Sequence, residues 1–210
     1  MEFLTTYLII MTATFVALIS PGPDFLITMR NALGVGRASG IATAIGVGAA
    51  IATHVAYSAF GIALIISQSV LVFNIIKYLG AAYLIYCGVM ALWSKGWDMA
   101  AAQAKAKNKD KSLKRSFVEG FVTNVLNPKA TLFFLALFTQ VLTPDTPLSW
   151  QVAYGLSLMI MVAAWFSFVA VVLTHETIRK KLSAVSIWID RVTGGLFIAL
   201  GLKVALSKIN

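Results

Sequence analysis

Charge is what this chain has least of. Of its 210 residues only 12% are Asp, Glu, Lys or Arg, against roughly 25% in soluble domains. Between Arg37 and Lys77 none of the four occurs. With 59% apolar residues and a mean hydropathy of +0.85, this excludes a soluble globular domain and places the chain in a bilayer. Cysteine is scarce as well. The single Cys87 rules out a disulfide framework and any paired-thiol redox centre, and within its apolar run it reads as a small core residue. No ATP-binding loop, His-Glu zinc constellation or nucleophile motif is present. The reading is therefore not an enzyme, with no cofactor and no metal site. ATP-driven transport would need another subunit. The longest linker, 94–112, is too short and too polar to fold alone, so residues 1–210 are read as one transmembrane domain.

The charge that remains is one-sided. A net charge of +9 would suit nucleic acid, but the basic residues sit in short segments between apolar runs, which is the pattern that orients membrane proteins. A span needs about 20 apolar residues. Six candidates emerge, at 3–29, 39–66, 71–93, 116–142, 150–173 and 188–207. No Lys or Arg precedes the first, and it is longer than the apolar core of a signal peptide, so it is read as a span. The loop between the first two spans carries Arg30 and Arg37. The loop after the third carries Lys95, Lys105, Lys107, Lys109, Lys111, Lys114 and Arg115, and the loop after the fifth Arg179, Lys180 and Lys181. The other side has only Lys77, Lys203 and Lys208 near it. The bias predicts basic loops in the cytoplasm and both termini in the periplasm. Trp93, Trp97 and Trp150 stand at span ends and read as interfacial anchors.

Proline is also rare, and its placement is informative. Ser20-Pro21-Gly22-Pro23-Asp24 and Asn127-Pro128-Lys129 fall inside the first and fourth spans. Each reads as a helix start signal, an N-capping side chain followed by Pro at the first helical position. A start signal inside a span implies a broken helix, tolerated in a bilayer only where the freed backbone is buried in protein or lines a cavity. Length agrees, since residues 3–30 would reach about 42 Å as one straight helix.

The two breaks sit in matching places of two weakly similar halves. Lys77, Gly80, Tyr83, Ala91 and Leu92 match Arg191, Gly194, Phe197, Ala205 and Leu206 at constant offset, and Ala44, Gly46 and Gly48 match Ala153, Gly155 and Ser157. The halves, about 1–94 and 116–210 around a basic cytoplasmic loop at 95–115, hold three spans each. Three is odd, so they must insert with opposite polarity. The predicted fold is an all-α integral membrane protein of six transmembrane helices, an inverted 3+3 repeat with helices one and four broken, and its site lies at the repeat interface. Gly36, Gly40, Gly46, Gly48, Ala49, Ala50 and Ala52 are small enough for close helix contact, or for a surface that faces substrate.

The motifs S-P-G-P-D-F-L at 20–26, G-A-A-Y-L-I-Y-C-G at 80–88 and N-V-L-N-P-K-A at 124–130 resemble the LysE/RhtB family of bacterial amino-acid exporters. So does the step Arg37-Ala38-Ser39-Gly40, with Ser where Ala is usual. The resemblance runs over the whole chain. It implies a secondary-active exporter of a small amino acid in the bacterial inner membrane, driven by the proton gradient or by exchange, and leaves a homodimer open. Two other classes compete with this reading, an exporter of an inorganic or metal cation and, more remotely, a membrane redox enzyme.

An amino acid offers one carboxylate and one ammonium. A half-helix N-terminus, with its free N–H groups, suits the carboxylate. The candidate substrate-binding residues are Pro21, Gly22, Pro23, Asp24, Asn124, Asn127, Pro128 and Lys129, with Thr123 as a further hydrogen-bonding side chain. Lys129, a charge deep in a span, is either functional by the usual rule or a partner that neutralises Asp24. Asp24 receives the ammonium or a proton, or caps the second half of span one. His54, mid-span, is a candidate for proton coupling with Asp24, or a neutral His bonded across helices. Glu119 reads as interfacial or as part of a gate. The loop bias carries a direct expectation: a cysteine placed at position 105 stays unlabelled by impermeant maleimide in intact cells and reacts in inverted vesicles, and labelling from outside would refute the orientation.

Overall fold

Proline breaks a helix because it lacks an N–H and its ring clashes with the preceding turn, and the helices here end where the prolines stand. The computed structural model describes residues 3–20, 22–68, 70–97, 111–143 and 145–207, with side chains at all of these except 59–68, 70, 72, 73 and 179. The regular elements among the described residues are helices: α1 (Phe3–Ile19), α2 (Pro23–Gly34), α3 (Arg37–Gln68), α4 (Val70–Leu92), α5 (Leu113–Val125), α6 (Pro128–Val141), α7 (Leu148–Leu173) and α8 (Glu176–Leu206). Within α3, α4, α7 and α8 lie stretches long and apolar enough to cross a membrane. The pairs α1–α2 and α5–α6 pass the same test together, bent at their breaks by 56° and 55°. Counting each bent pair as one span gives six, at the six places expected.

Lipid is as apolar as Leu, so helices in a membrane associate by close packing and hydrogen bonding rather than by the hydrophobic effect. Small residues carry that packing here. A Cβ on Gly46 would stand 2.0 Å from the Phe117 carbonyl oxygen, and one on Gly120 2.2 Å from that of Thr43. The backbones of α3 and α5 therefore touch. On its other face α3 packs along α7, where Gly48 meets the Ala163 methyl and the Met159 carbonyl. The antiparallel pair α4 and α8 meets in the same way, a Cβ on Gly88 falling 2.6 Å from the Gly194 carbonyl and one on Gly194 2.7 Å from that of Gly88.

The two ends of the bundle differ in charge. At one end Glu119 of α5 pairs with Arg30 of α2 at 2.8 Å, with Arg115 at 3.6 Å and with Lys111, while Asn31 bonds Lys111, Thr43 and Glu119. Arg37 reaches Thr174 and His175 beside it. Glu119 is thus the centre of a cation cluster that ties α2 to α5. At the opposite end Phe3 stacks on Tyr154 and meets Trp150 edge-on, both at 5.3 Å, and Lys77 donates to the Ser207 carbonyl. One expectation needs adjustment. Arg179, Lys180 and Lys181 lie inside α8, not in a loop, because α8 begins at Glu176. Since Ser94, just past α4, bonds Asp190, residues 176–189 of α8 extend beyond the end of α4. Trp93 and Trp188, 75% and 66% exposed at that level, mark a belt of the kind that sits at a membrane surface.

Overpacking a tight contact costs typically about 1–3 kcal/mol. Gly46→Ala and Gly120→Ala should each lower the thermal unfolding temperature in detergent. Gly195→Ala should leave it unchanged, since nothing lies within 4 Å of a Cβ there.

Candidate functional site

At the second break Asn127 is the N-cap of α6 and Pro128 opens the helix, as the motif predicts. Asn127 Oδ1 accepts the Lys129 N–H at 2.9 Å. At the first break the start signal shifts by two residues. Gly22, extended in backbone and without a side chain, caps α2, and Pro23 is its first residue. Pro21 lies outside the described residues. Gly22 has a steric reason to lack a side chain, because a Cβ there would stand 3.3 Å from Lys129 Cδ.

The two breaks meet and satisfy each other. Asp24, in the first turn of α2, accepts on Oδ2 from Asn124 Nδ2 at 3.0 Å and Asn127 Nδ2 at 2.8 Å. In return Lys129 Nζ donates at 2.9 Å to the carbonyl of Ser20, just past the end of α1, and lies 4.9 Å from the Phe197 ring centre. A cation at a helix C-terminus complements the partial negative charge of its free carbonyls. Asp24 and Lys129 are not among the ion pairs of the described residues. The carboxylate is held by amides instead, and Asp24 does not cap α2.

His54, fully buried on α3, extends this network. Its Nε2 faces the Asn124 carbonyl at 3.1 Å and Asn124 Oδ1 at 3.0 Å. Both are acceptors, because Asn124 spends its Nδ2 on Asp24, so Nε2 carries a hydrogen. Nδ1 lies 2.5 Å from the Tyr57 hydroxyl, which also stands 3.4 Å from the Thr131 carbonyl. Two arrangements satisfy every group: a neutral His54 accepting from Tyr57, or an imidazolium donating to Tyr57 while the hydroxyl turns to Thr131. A continuous path runs Tyr57–His54–Asn124–Asp24.

Ser20, Gly22, Asn127 and Lys129 line two cavities, one on either side of them. The smaller, with about 50 Å³ of room for water-sized contents, is walled by Thr14, Asp24, Ile51, Phe133 and Phe166 among others. Two buried oxygens of its lining residues, Asp24 Oδ1 and Thr14 Oγ1, have no hydrogen-bond partner among the described residues. The larger, about 340 Å³ on the same measure, lies toward α4 and α8, against Tyr83, Tyr86, Cys87, Met90, Ser94 and Asp190.

The structure thus brings Gly22, Pro23, Asp24, Asn124, Asn127, Pro128, Lys129 and His54 to one place. Sequence reasoning missed Thr14, Tyr57 and the Asp190 group. Asp190 is fully buried on α8 and accepts from Ser94 Oγ and, at 3.0 Å, from Trp97 Nε1. Trp97 is accordingly not a lipid-facing anchor. Its ring packs on Phe25 at 4.5 Å and its backbone N–H donates to Ser186 Oγ. A carboxylate at the head of the sixth apolar run was the available signal.

The LysE type translocator profile matches residues 15–208. The chain belongs to that family. Among its relatives, an uncharacterized membrane protein, YrhP, of Bacillus subtilis (strain 168) is 31% identical over 90% of this chain and 93% of its own. Threonine efflux proteins of Escherichia coli (strain K12) and Salmonella typhi are 25% and 27% identical, over 98% and 92% of this chain and 100% and 94% of theirs. No solved structure matches. This LysE type translocator is therefore a multi-pass membrane transport protein and not an enzyme.

Asn127 serves both breaks, as a cap worth about 1 kcal/mol and as a donor to Asp24. Asn127→Asp keeps the cap but sets two carboxylates together, so it should unfold at lower temperature in detergent than wild type. Adding Asp24→Asn restores a donor–acceptor pair and should recover most of the loss. A double variant no more stable than Asn127→Asp would count against the geometry.

Proposed function

We propose that this translocator is a secondary-active exporter of a small amino acid across the bacterial inner membrane, coupled to protons, with both termini periplasmic. The observation that carries the reading is the reciprocal bonding of the breaks: Asp24 of the first is held by Asn124 and Asn127 of the second, and Lys129 of the second holds the Ser20 carbonyl of the first. An opposite pair of buried charges, each bonded to neutral groups and not to the other, is complementary to a zwitterion. Lys129 receives the carboxylate, for an ammonium has three donors and only one is in use. Asp24 receives the ammonium or a proton on its unpartnered Oδ1. The two hydrogen-bond arrangements around His54 let it carry or release a proton, and the Asn124 amide couples its charge to Asp24 through hydrogen bonds. The nearly equal bends at the two breaks and the mutual crossing of α4 and α8 at Gly88 and Gly194 support the inverted 3+3 repeat, with halves at about 1–94 and 116–210. The efflux relatives make threonine the first substrate to try.

The test is transport in proteoliposomes under an imposed pH gradient, normalised to folded protein. Removing a charge that costs about 2.5–3.5 kcal/mol at mid-membrane on insertion scales offsets the loss of the bond to the Ser20 carbonyl, so Lys129→Met should still insert and fold while export falls to background. The double variant Lys129→Met with Asp24→Asn should stay inactive, because the carboxylate-binding ammonium is still missing and Asp24 takes its hydrogen bonds from Asn124 and Asn127 rather than from Lys129. Full activity of Lys129→Met would end this assignment. Recovery in the double variant would reduce Lys129 to a counter-charge.

A further inference from the structure

The two cavities beside the breaks are unequal, and the difference decides where a substrate fits. A water needs about 10–15 Å³ of such space. The smaller cavity, at about 50 Å³, holds a few waters, whereas the larger has about 340 Å³. Both are bordered by Lys129, but only the larger has room for a whole amino acid. Its far wall, Ser94 and Asp190, stands level with the exposed Trp93 and Trp188. The chamber therefore runs from the breaks toward the end of the bundle where Arg30, Arg37, Lys111 and Arg115 gather.

Its chemistry is selective. Lys129 brings a positive charge with two N–H groups unspent on the protein. Asp190 brings a negative charge to the far wall, its carboxylate held by Ser94 and Trp97. Between them the wall is Tyr83, Tyr86, Cys87 and Met90, apolar and polarisable. No other cavity wall of the site places both signs of charge around so much space.

Building on the amino-acid export reading, we propose that this chamber is the loading site: in the conformation described, a zwitterionic amino acid sits there with its carboxylate on Lys129 Nζ and its side chain against Tyr83, Cys87 and Met90. Substrate binding then competes with the Ser20 carbonyl for the Lys129 ammonium, so loading loosens the link between the breaks. The smaller cavity, which ends on Asp24 and Thr14, holds no amino acid until that link opens.

The protein carries its own reporter, for Cys87 is its single cysteine and lies in the chamber wall. The experiment follows the rate at which N-ethylmaleimide alkylates Cys87 in the full-length protein in liposomes. With L-threonine at about ten times its dissociation constant the empty fraction, and with it the rate, should fall about ten-fold. L-threoninol, which lacks the carboxylate, should not protect at the same concentration. Lys129→Met, which also removes the cation beside Cys87, should be alkylated at one rate of its own that threonine does not change. Threonine transport with no change in the Cys87 rate overturns the chamber while leaving export intact. So does protection by threoninol equal to that by threonine, or a Cys87 that does not react even without amino acid. Absence of both transport and protection counts against threonine export itself, and the chamber falls with it.

Discussion

In hydrocarbon a backbone N–H or C=O without a partner costs several kcal/mol, and each broken helix exposes a set of them at the depth where water is scarcest. The site depends on how that debt is met. Asn127 takes an N–H at the head of α6, and Lys129 takes a carbonyl just past the tail of α1. The groups that would bind substrate are therefore the groups that hold the breaks together. This explains why so few charges appear elsewhere in the spans. The charge at the centre is tolerated because an unpaired carbonyl and two amides are already waiting for it.

The same economy organises the chain around the breaks. Asn124 is bonded at both ends, by His54 on α3 and to Asp24 on α2, so a proton arriving at His54 is felt at the first break through one amide. Asp190 is bonded to Trp97, which packs on Phe25 one residue after Asp24. The segment after α4 thus touches α2 close to its first turn. The centre is braced from two sides, by α3 through a polar chain and by α8 through an aromatic one.

Much of this was legible in the residues. Proline inside an apolar run has few readings, so Pro23 and Pro128 announced the breaks, and long uncharged stretches announced the spans. The shift of the first cap from Ser20 to Gly22 was not legible, because S-P-G-P-D offers two prolines, either of which is suited to open a helix. The length of α8 was also hidden. Residues 176–189 are helical but too polar to register as a span, with Glu176 and Lys180 paired at 2.7 Å along the exposed helix. Tyr57, Thr14 and Asp190 escaped for a common reason. What each faces comes from elements far apart in sequence, the Thr131 carbonyl for Tyr57, the cavity walled by Phe133 and Phe166 for Thr14, and Ser94 and Trp97 for Asp190, and no periodicity records such a contact.

The glycine contacts set how this bundle is able to move. No atom can be inserted between α3 and α5 at Gly46 and Gly120, nor between α4 and α8 at Gly88 and Gly194. Each pair therefore behaves as a welded beam, unable to slide or part by even a methyl's width without giving up its contact. The free volume lies between the beams, and so do the two interrupted helices, which already lack continuous hydrogen bonding at the point where bending is needed. On the proposed export reading the place that receives substrate is also the joint, and a passenger seated there sits on the hinge pin.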